Sequence, residues 1–270
     1  MIDSSILLRI TVHFLQGRFN ILFNMNPILQ DLARDANTYD EWATKRFWMY
    51  VLDKLVFTSP NWMVSSEQPP TRMHGNLRRV DLIVERLDED ITILFLEAKK
   101  HNAEVNDVAD VEHQAFTACT EYLLNNNRRT VWAMTCVGTK ARFWAQSLDT
   151  DYLTPVLPTD PHLGNIQSYI DYTRNRAEIH SQLEYIKENR IPPRSTFLPV
   201  ILTRDCTGVQ IEGVSRREEG MYRCRSFNGN KVNLPMQGWI ECVLQEGRQK
   251  MEGYYLTTES ETYCTVSLTY

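Results

Sequence analysis

The chain lacks the residue patterns of several familiar chemistries. Its six cysteines stand at 119, 136, 206, 224, 242 and 264, with no Cys-x-x-Cys pair and no close histidines, so a structural zinc module is excluded. It has no Gly-rich phosphate loop ending in Lys-Ser/Thr and no His-Glu-x-x-His helix, which sets aside two common phosphotransfer and hydrolase designs. Long apolar runs are also missing. Arg9, His13 and Arg18 interrupt the stretch from Met1 to Met25, which therefore reads as neither signal peptide nor membrane span. There is no low-complexity tract or repeat, so a disordered or solenoid chain is not indicated. Nor is there a basic excess: 29 Lys and Arg face 34 Asp and Glu, a net charge of -5. That weighs against a phosphate-binding footprint spread over the whole surface, while leaving room for local patches such as Arg78-Arg79 and Arg128-Arg129.

What is present is an ordinary globular composition, 43% hydrophobic and 23% charged over 270 residues, long enough for one large domain or a domain with a smaller companion. The expectation is an intracellular protein of nucleus or cytoplasm, with reduced thiols and no membrane association.

Helical spacing of Trp42, Phe47, Met49, Val51, Leu52, Leu55 and Val56 predicts one long helix from Tyr39 to Phe57, ended by Ser59-Pro60. Trp62 to Glu67 reads as a short strand, and Arg79 to Leu87 as a second. Asp88, Glu89 and Asp90 then form a tight connection into ITILFLEAKK, an apolar strand buried on both faces, which makes a hairpin of the pair. Val108, Val111, Ala115, Ala118, Tyr122 and Leu123 give one apolar stripe, predicting a helix over 106–127 capped by Asn106 or Asp107. TVWAMTCV and KARFWAQ are strands about Gly138-Thr139, and a Pro-containing loop leads to a third helix near 165–188. Pro192-Pro193 marks a boundary, after which β-like runs broken by glycines predict a small β-rich module. That module holds eight Lys or Arg against nine Asp or Glu, so no phosphate-binding face is inferred from it. The domain reading is an N-terminal extension over 1–36, an α/β domain over 37–193 and the β-rich module over 194–270.

Asp81 lies on one strand of the predicted hairpin, Glu97 and Lys99 on the other. Glu97 and Lys99 are two apart, hence on one strand face, with Ala98 turned away. Two converging carboxylates repel unless a cation joins them, and hard oxygen ligands suit Mg²⁺ or Mn²⁺. Such an ion acidifies water and polarises a phosphoryl oxygen, while Lys99 is suited to orienting the nucleophile and neutralising phosphate.

Asp81, fifteen intervening residues, then Glu97-Ala98-Lys99 resembles the PD-(D/E)XK nuclease superfamily, with Val80 where the motif has Pro. The surrounding RRVDLIV, LEAKK, HQAFTACTEYL and GTKARFW are similar to fungal members, over roughly residues 37 to 190. The resemblance implies an α/β fold with a restriction-endonuclease-like αβββαβ core. It implies metal-dependent hydrolysis of phosphodiesters, with nucleic acid as partner, DNA ahead of RNA. It assigns Asp81, Glu97 and Lys99 as catalytic, Asp81 and Glu97 as metal ligands, Glu41 on the first helix as a third ligand with Glu67 as its substitute, and Gln114 as a helix-borne site residue. The Gln-x-x-x-Tyr spacing of some relatives is not kept, because Tyr122 is too far along. The alternative is a nuclease-fold protein without turnover, serving as a binding or effector module, with protein partners met through the C-terminal module.

Each candidate has a plainer reading. Glu41 is also a first-turn acid complementing its helix dipole, and Gln114 is also a buried amide bonding the backbone. His113 reads as a structural or exposed histidine in preference to a general base, and Lys140 and Arg142 as a solvated strand face in preference to a phosphate contact. Trp42, Phe47, Trp48, Trp132, Phe143 and Trp144 read as core in preference to base-stacking platforms.

Overall fold

A computed structural model describes residues 26–71, 79–215, 218–247, 249–259 and 261–269. It is a mixed α/β structure with four α-helices and two mixed sheets, dividing into compact units at Pro192/Pro193. Arg78 and the stretch Met1 to Met25 lie outside the described residues.

The first unit opens with α1 (Pro27–Ala36), whose Leu29, Leu32, Ala33 and Ala36 are buried, so packing begins upstream of residue 37. Asn26 caps it by accepting from the Ile28 N–H at 3.0 Å, and Pro27 suits the first turn, where an N–H would have no partner. Helix α2 (Glu41–Tyr50) continues without a break into a π-helical turn, Val51–Val56, and here the Phe57 N–H reaches back five residues to the Leu52 carbonyl at 2.8 Å. Ala43, Phe47, Val51 and Thr44, Trp48, Leu52 form two adjoining i, i+4 rows, which is the face that α2 buries. Trp48 donates its indole N–H to the Gly138 carbonyl at 2.9 Å. Trp42 departs from the expected core: it is exposed and stacks on Tyr39, at 5.8 Å between centroids.

Strands β1 (Trp62–Gln68), β2 (Val80–Arg86) and β3 (Ile91–Lys99) form an antiparallel meander. Helix α3 (Val105–Asn125) carries the chain over to β4 (Thr130–Val137), which lies parallel to β3. The start of α3 is Glu104, earlier than the Asn106 or Asp107 expected. Asp107 instead sits at the third helical position and accepts from the Glu104 N–H at 2.9 Å. Strand β5 (Lys140–Ser147) returns antiparallel, flanked by β6 (Thr154–Leu157) and the two-residue β7 (Ile170–Asp171). The β4–β5 turn needs Gly138: φ is +58°, and a Cβ there would fall 2.7 Å from that of His101. Helix α4 (Tyr172–Glu188) begins well after residue 165. Asp171 accepts from the Thr173 N–H at 2.8 Å and ends the preceding loop, whose residues 166–168 form a separate 3-10 turn.

The apolar stripe of α3 packs on one sheet face, where Ala115, Ala118, Cys119, Tyr122 and Leu123 are buried in a core with Ile83, Phe95, Ala133 and Trp144, and Val111 is buried as well. On the other side Phe47 and Trp48 meet Tyr172 edge-on, with centroids 5.3 and 5.7 Å away. Two helical layers thus close over the sheet, and a central strand such as β3 is buried from Ile93 to Ala98.

The second unit is a seven-stranded sheet in the order β11-β10-β9-β14-β13-β12-β8, comprising β8 (Val200–Leu202), β9 (Thr207–Val214), β10 (Met221–Ser226), β11 (Lys231–Pro235), β12 (Ile240–Glu246), β13 (Gln249–Thr257) and β14 (Thr262–Thr265). Period-two burial of Val209 and Ile211 on β9 joins Cys224, Leu234 and Leu256 in its core. Cys206 and Cys264 are joined in a disulfide, which corrects the expectation that every cysteine stays a thiol; the other four are thiols outside any disulfide, and buried. No helix among the described residues is long and apolar enough to cross a membrane.

Candidate active site

Asp81 and Glu97 are the next residues outward from the paired Leu82 and Leu96 on β2 and β3, so the hairpin sets them abreast at one end of the sheet. Their row continues across the sheet, Glu97 beside Thr135 on β4 and Thr135 beside Arg142 on β5. Alternation along β3 adds Lys99 to the same face, the one covered by α3. A cavity of about 300 Å³ opens there, lined by Glu41, Arg79, Asp81, Glu97, Lys99, Gln114 and Thr117. It gathers all five site residues that the sequence singled out, from four different elements.

The two acids are held differently. Asp81 is fixed by its own hairpin: Oδ2 accepts from the Ala98 N–H at 2.8 Å. Oδ1 accepts from Lys45 Nζ at 2.8 Å. Glu97 is only 4% exposed and reaches the cavity floor from a strand that is otherwise apolar.

Two lysines supply positive charge. Lys45 lies one helical turn after Glu41 on α2 and bridges Asp81, Glu41 (3.3 Å to Oε1) and Glu67 (3.8 Å). Lys99 reaches the other Glu41 oxygen at 3.5 Å. Burial lowers the Lys45 pKa, but its hydrogen bonds to Asp81 and Glu41 and their charges outweigh that, leaving it above the ordinary lysine value. Glu67 stands on β1 between the pairs Ser66–Leu82 and Gln68–Val80, abreast of Asp81, with a left-handed backbone at φ +52°. Its side chain is 70% exposed, so it forms the rim rather than the floor. Cys136, on β4 beside Ala98, is no rival nucleophile, because burial and the Asp81 charge push its thiol well up.

The donor set at this point is carboxylate oxygen. Among the described residues no group of three or more His, Cys, Asp or Glu side chains is gathered to hold a metal. Mg²⁺ and Mn²⁺ do not require such a cage: one or two carboxylates with waters and substrate phosphate suffice. Asp81, oriented by the Ala98 N–H, and Glu97 fit that demand, and Glu41 stands beside them with both oxygens turned to lysines.

Other residues sort more sharply than sequence could sort them. Gln114 lines the cavity from α3, one turn before Thr117; His113 does not line it, its ring lying 6.2 Å from that of Phe116. Tyr122 is structural, its hydroxyl accepting from the Thr92 N–H at 3.1 Å. Arg142 belongs to neither a phosphate contact nor a solvated face. Its side chain is 0% exposed and stacks over Trp144 at 4.0 Å, donating to Glu112 Oε1 at 3.4 Å, to the His162 carbonyl at 2.7 Å and to the Asp160 carbonyl. Glu112 also accepts from the Gly164 N–H at 2.7 Å and the Tyr169 hydroxyl at 3.0 Å. Burial pushes the Glu112 carboxyl up from its ordinary value, against the pull of these donors and of Arg142.

Lys45 and Thr117 are the site residues that the sequence reading missed, and Arg79, named there only within a local basic patch, lines the cavity. The signal for Lys45 was available: it is i+4 from Glu41 on a helix already predicted. No protein-family model, curated protein or solved structure matches the chain, so the site is read from its own geometry.

Proposed function

We propose that the first unit is a metal-dependent nuclease domain with a restriction-endonuclease-like core, hydrolysing phosphodiester bonds of nucleic acid, DNA in preference to RNA. The observation that carries this reading is the convergence of Asp81, Glu97 and Lys99 from adjacent strands on one cavity, with Asp81 locked in place by a main-chain N–H. The order α2-β1-β2-β3-α3-β4, with β4 parallel to β3, supports it as the αβββαβ arrangement expected of that core.

A divalent ion held by Asp81 and Glu97, with Glu41 beside them, would supply an acidified water and a counter-charge for the phosphoryl oxygen. The chain's own groups supply the rest. The Ala98 N–H fixes the direction of the Asp81 carboxylate, so little reorganisation is needed as charge develops. Lys99, steadied by Glu41, orients the attacking water and neutralises a non-bridging oxygen. Arg79 at the cavity wall pairs with phosphate, and the Gln114 amide offers both a donor and an acceptor to water or substrate.

The test is cleavage of single- and double-stranded DNA and RNA in Mg²⁺ or Mn²⁺ by the parent, Asp81→Ala and Lys99→Ala. The parent alone should cut; equal cutting by all three would sink the assignment. A second reading, a fold without turnover that binds partners through its C-terminal unit, is favoured by the Lys45 contact to Asp81 and by the acidic balance of the chain. Calorimetric titration with Mn²⁺ separates the two, because a dead site takes up no metal in an Asp81-dependent way even where Lys45 is replaced by a neutral residue.

A further inference from the structure

We propose that Lys45 is a built-in competitor for the metal: its ammonium occupies the position a divalent ion must take, and metal entry requires it to swing away. The inference rests on the metal-site reading above and adds to it a residue that sets how much metal the site demands.

The argument lies in the two oxygens of Asp81. Oδ2 is engaged by the Ala98 N–H at 2.8 Å, a bond within the hairpin itself. Oδ1 has no main-chain donor and is the oxygen more open to an ion in the cavity, and Lys45 Nζ is 2.8 Å from that atom. A Mg²⁺ or Mn²⁺ ion would bind the same oxygen at roughly 2.1 Å. Both cations on one atom would face each other within a few ångströms, and like charges at that range repel strongly in a partly desolvated site. Lys45 also neutralises Glu41 at 3.3 Å and reaches Glu67 at 3.8 Å, so a single ammonium draws together carboxylates from α2, β1 and β2 that would otherwise repel. An ion pair of this kind keeps a metal-free acid cluster folded.

Lys45 is suited to leaving. Its charge sits at the end of a flexible four-carbon stem and its side chain is 24% exposed, so rotation about that stem carries the ammonium to solvent beside Glu67. The same charge, once displaced, lies at the rim on the β1 side, where the exposed Glu67 retains it.

The experiment is calorimetric titration of the full chain with MnCl₂ at fixed ionic strength, using the parent, Lys45→Met, Lys45→Gln, Lys45→Arg and Asp81→Asn. Lys45→Met and Lys45→Gln should each bind Mn²⁺ about tenfold more tightly than the parent, the size of effect expected when one competing ion pair is removed. Lys45→Arg, which keeps the charge, should stay near the parent, and Asp81→Asn should lose binding. Uptake by the two neutral variants but not by the parent would support the proposal in its strongest form. Equal or weaker binding by both neutral variants overturns it while leaving the metal site intact. If neither the parent nor a neutral variant takes up Mn²⁺ in an Asp81-dependent way, the metal reading falls and the competitor falls with it.

Discussion

One cross-strand row of the first sheet passes through two carboxylate–cation assemblies built on opposite terms. At the end formed by Asp81 and Glu97 the two acids line an open cavity with Glu41, and Lys45 and Lys99 tie Asp81, Glu41 and the rim residue Glu67 together at distances between 2.8 and 3.8 Å. At the end formed by Thr135 and Arg142 the pair Arg142–Glu112 is fully buried; Gly164 and Tyr169 donate to Glu112, and the Asp160 and His162 carbonyls accept from Arg142. The sealed assembly answers its charges largely with main-chain partners. The open one answers them with lysines on flexible stems. The same residue types are therefore structural where the partners are main-chain groups at a buried pair, and available for chemistry where the partners are lysines on flexible stems at the wall of a cavity.

The largest effect that would break this contrast is on the sealed side. Arg142→Met should destabilise the first unit by about 3–5 kcal/mol, because Glu112 is left fully buried without its cation. The double variant Arg142→Met/Glu112→Leu should recover most of that loss, since it removes both desolvation penalties together. Urea unfolding of the two single variants, the double variant and the parent measures the coupling. Additive losses would mean that the pair is not a unit and that the contrast is wrong.

The open side should respond in the other sense. Glu97→Gln keeps the shape of the side chain while removing its charge from the cavity, so unfolding stability should change by less than about 1 kcal/mol while cleavage falls by at least about a hundredfold. A loss of several kcal/mol instead would place Glu97 with Glu112 as a structural carboxylate.

How much of this contrast was legible beforehand follows from which interactions are local. Period two on β3 and the hairpin through Asp88-Glu89-Asp90 were enough to bring Asp81, Glu97 and Lys99 together, because both are set within twenty residues. The i+4 relation of Lys45 to Glu41 is local, but on a helix it reads equally as an ordinary surface ion pair, and its contact with Asp81 has no local signature. Arg142 was assigned to a solvated face because alternation places it beside Lys140 on β5. What buries it is the chain between Asp160 and Gly164 folding over the sheet, a contact with no local signature. The Cys206–Cys264 disulfide spans 58 residues with no spacing motif and was beyond reach for the same reason. Trp42 is exposed because only the neighbouring i, i+4 rows of α2 face the core, a phase that aromatic content alone does not reveal.

A smaller effect sharpens the rim. Glu67 holds φ at +52°, where a side chain costs about 1 kcal/mol relative to glycine. Glu67→Gly should be more stable than Glu67→Ala by about that amount, a comparison in which both variants lack the carboxylate and only the backbone differs. Thermal unfolding of the pair decides it. Equal stabilities would remove the argument that the rim carries strain. If the difference appears, the left-handed backbone is a cost retained where β1 delivers an acid abreast of Asp81.

The subtlest test probes what keeps the sealed assembly sealed. Asp160 offers its main-chain carbonyl to Arg142, while its carboxylate holds the loop by accepting from the Ser168 hydroxyl, the His162 N–H at 3.0 Å and the His162 ring at 2.6 Å. The Ser168 bond, with those from His162, holds the Asp160 carboxyl well below its ordinary value of 3.8. A folded-state pKa below the unfolded one contributes stability that is complete above the unfolded value and is lost as pH falls through it toward the folded one. Asp160→Asn should therefore be less stable than the parent near neutral pH, with the gap closing as pH falls below about 4. Urea unfolding of both proteins across that range reads it directly. A gap that stays constant with pH would show that the carboxylate's charge does not hold the loop, and that burial of Arg142 depends on the main chain alone.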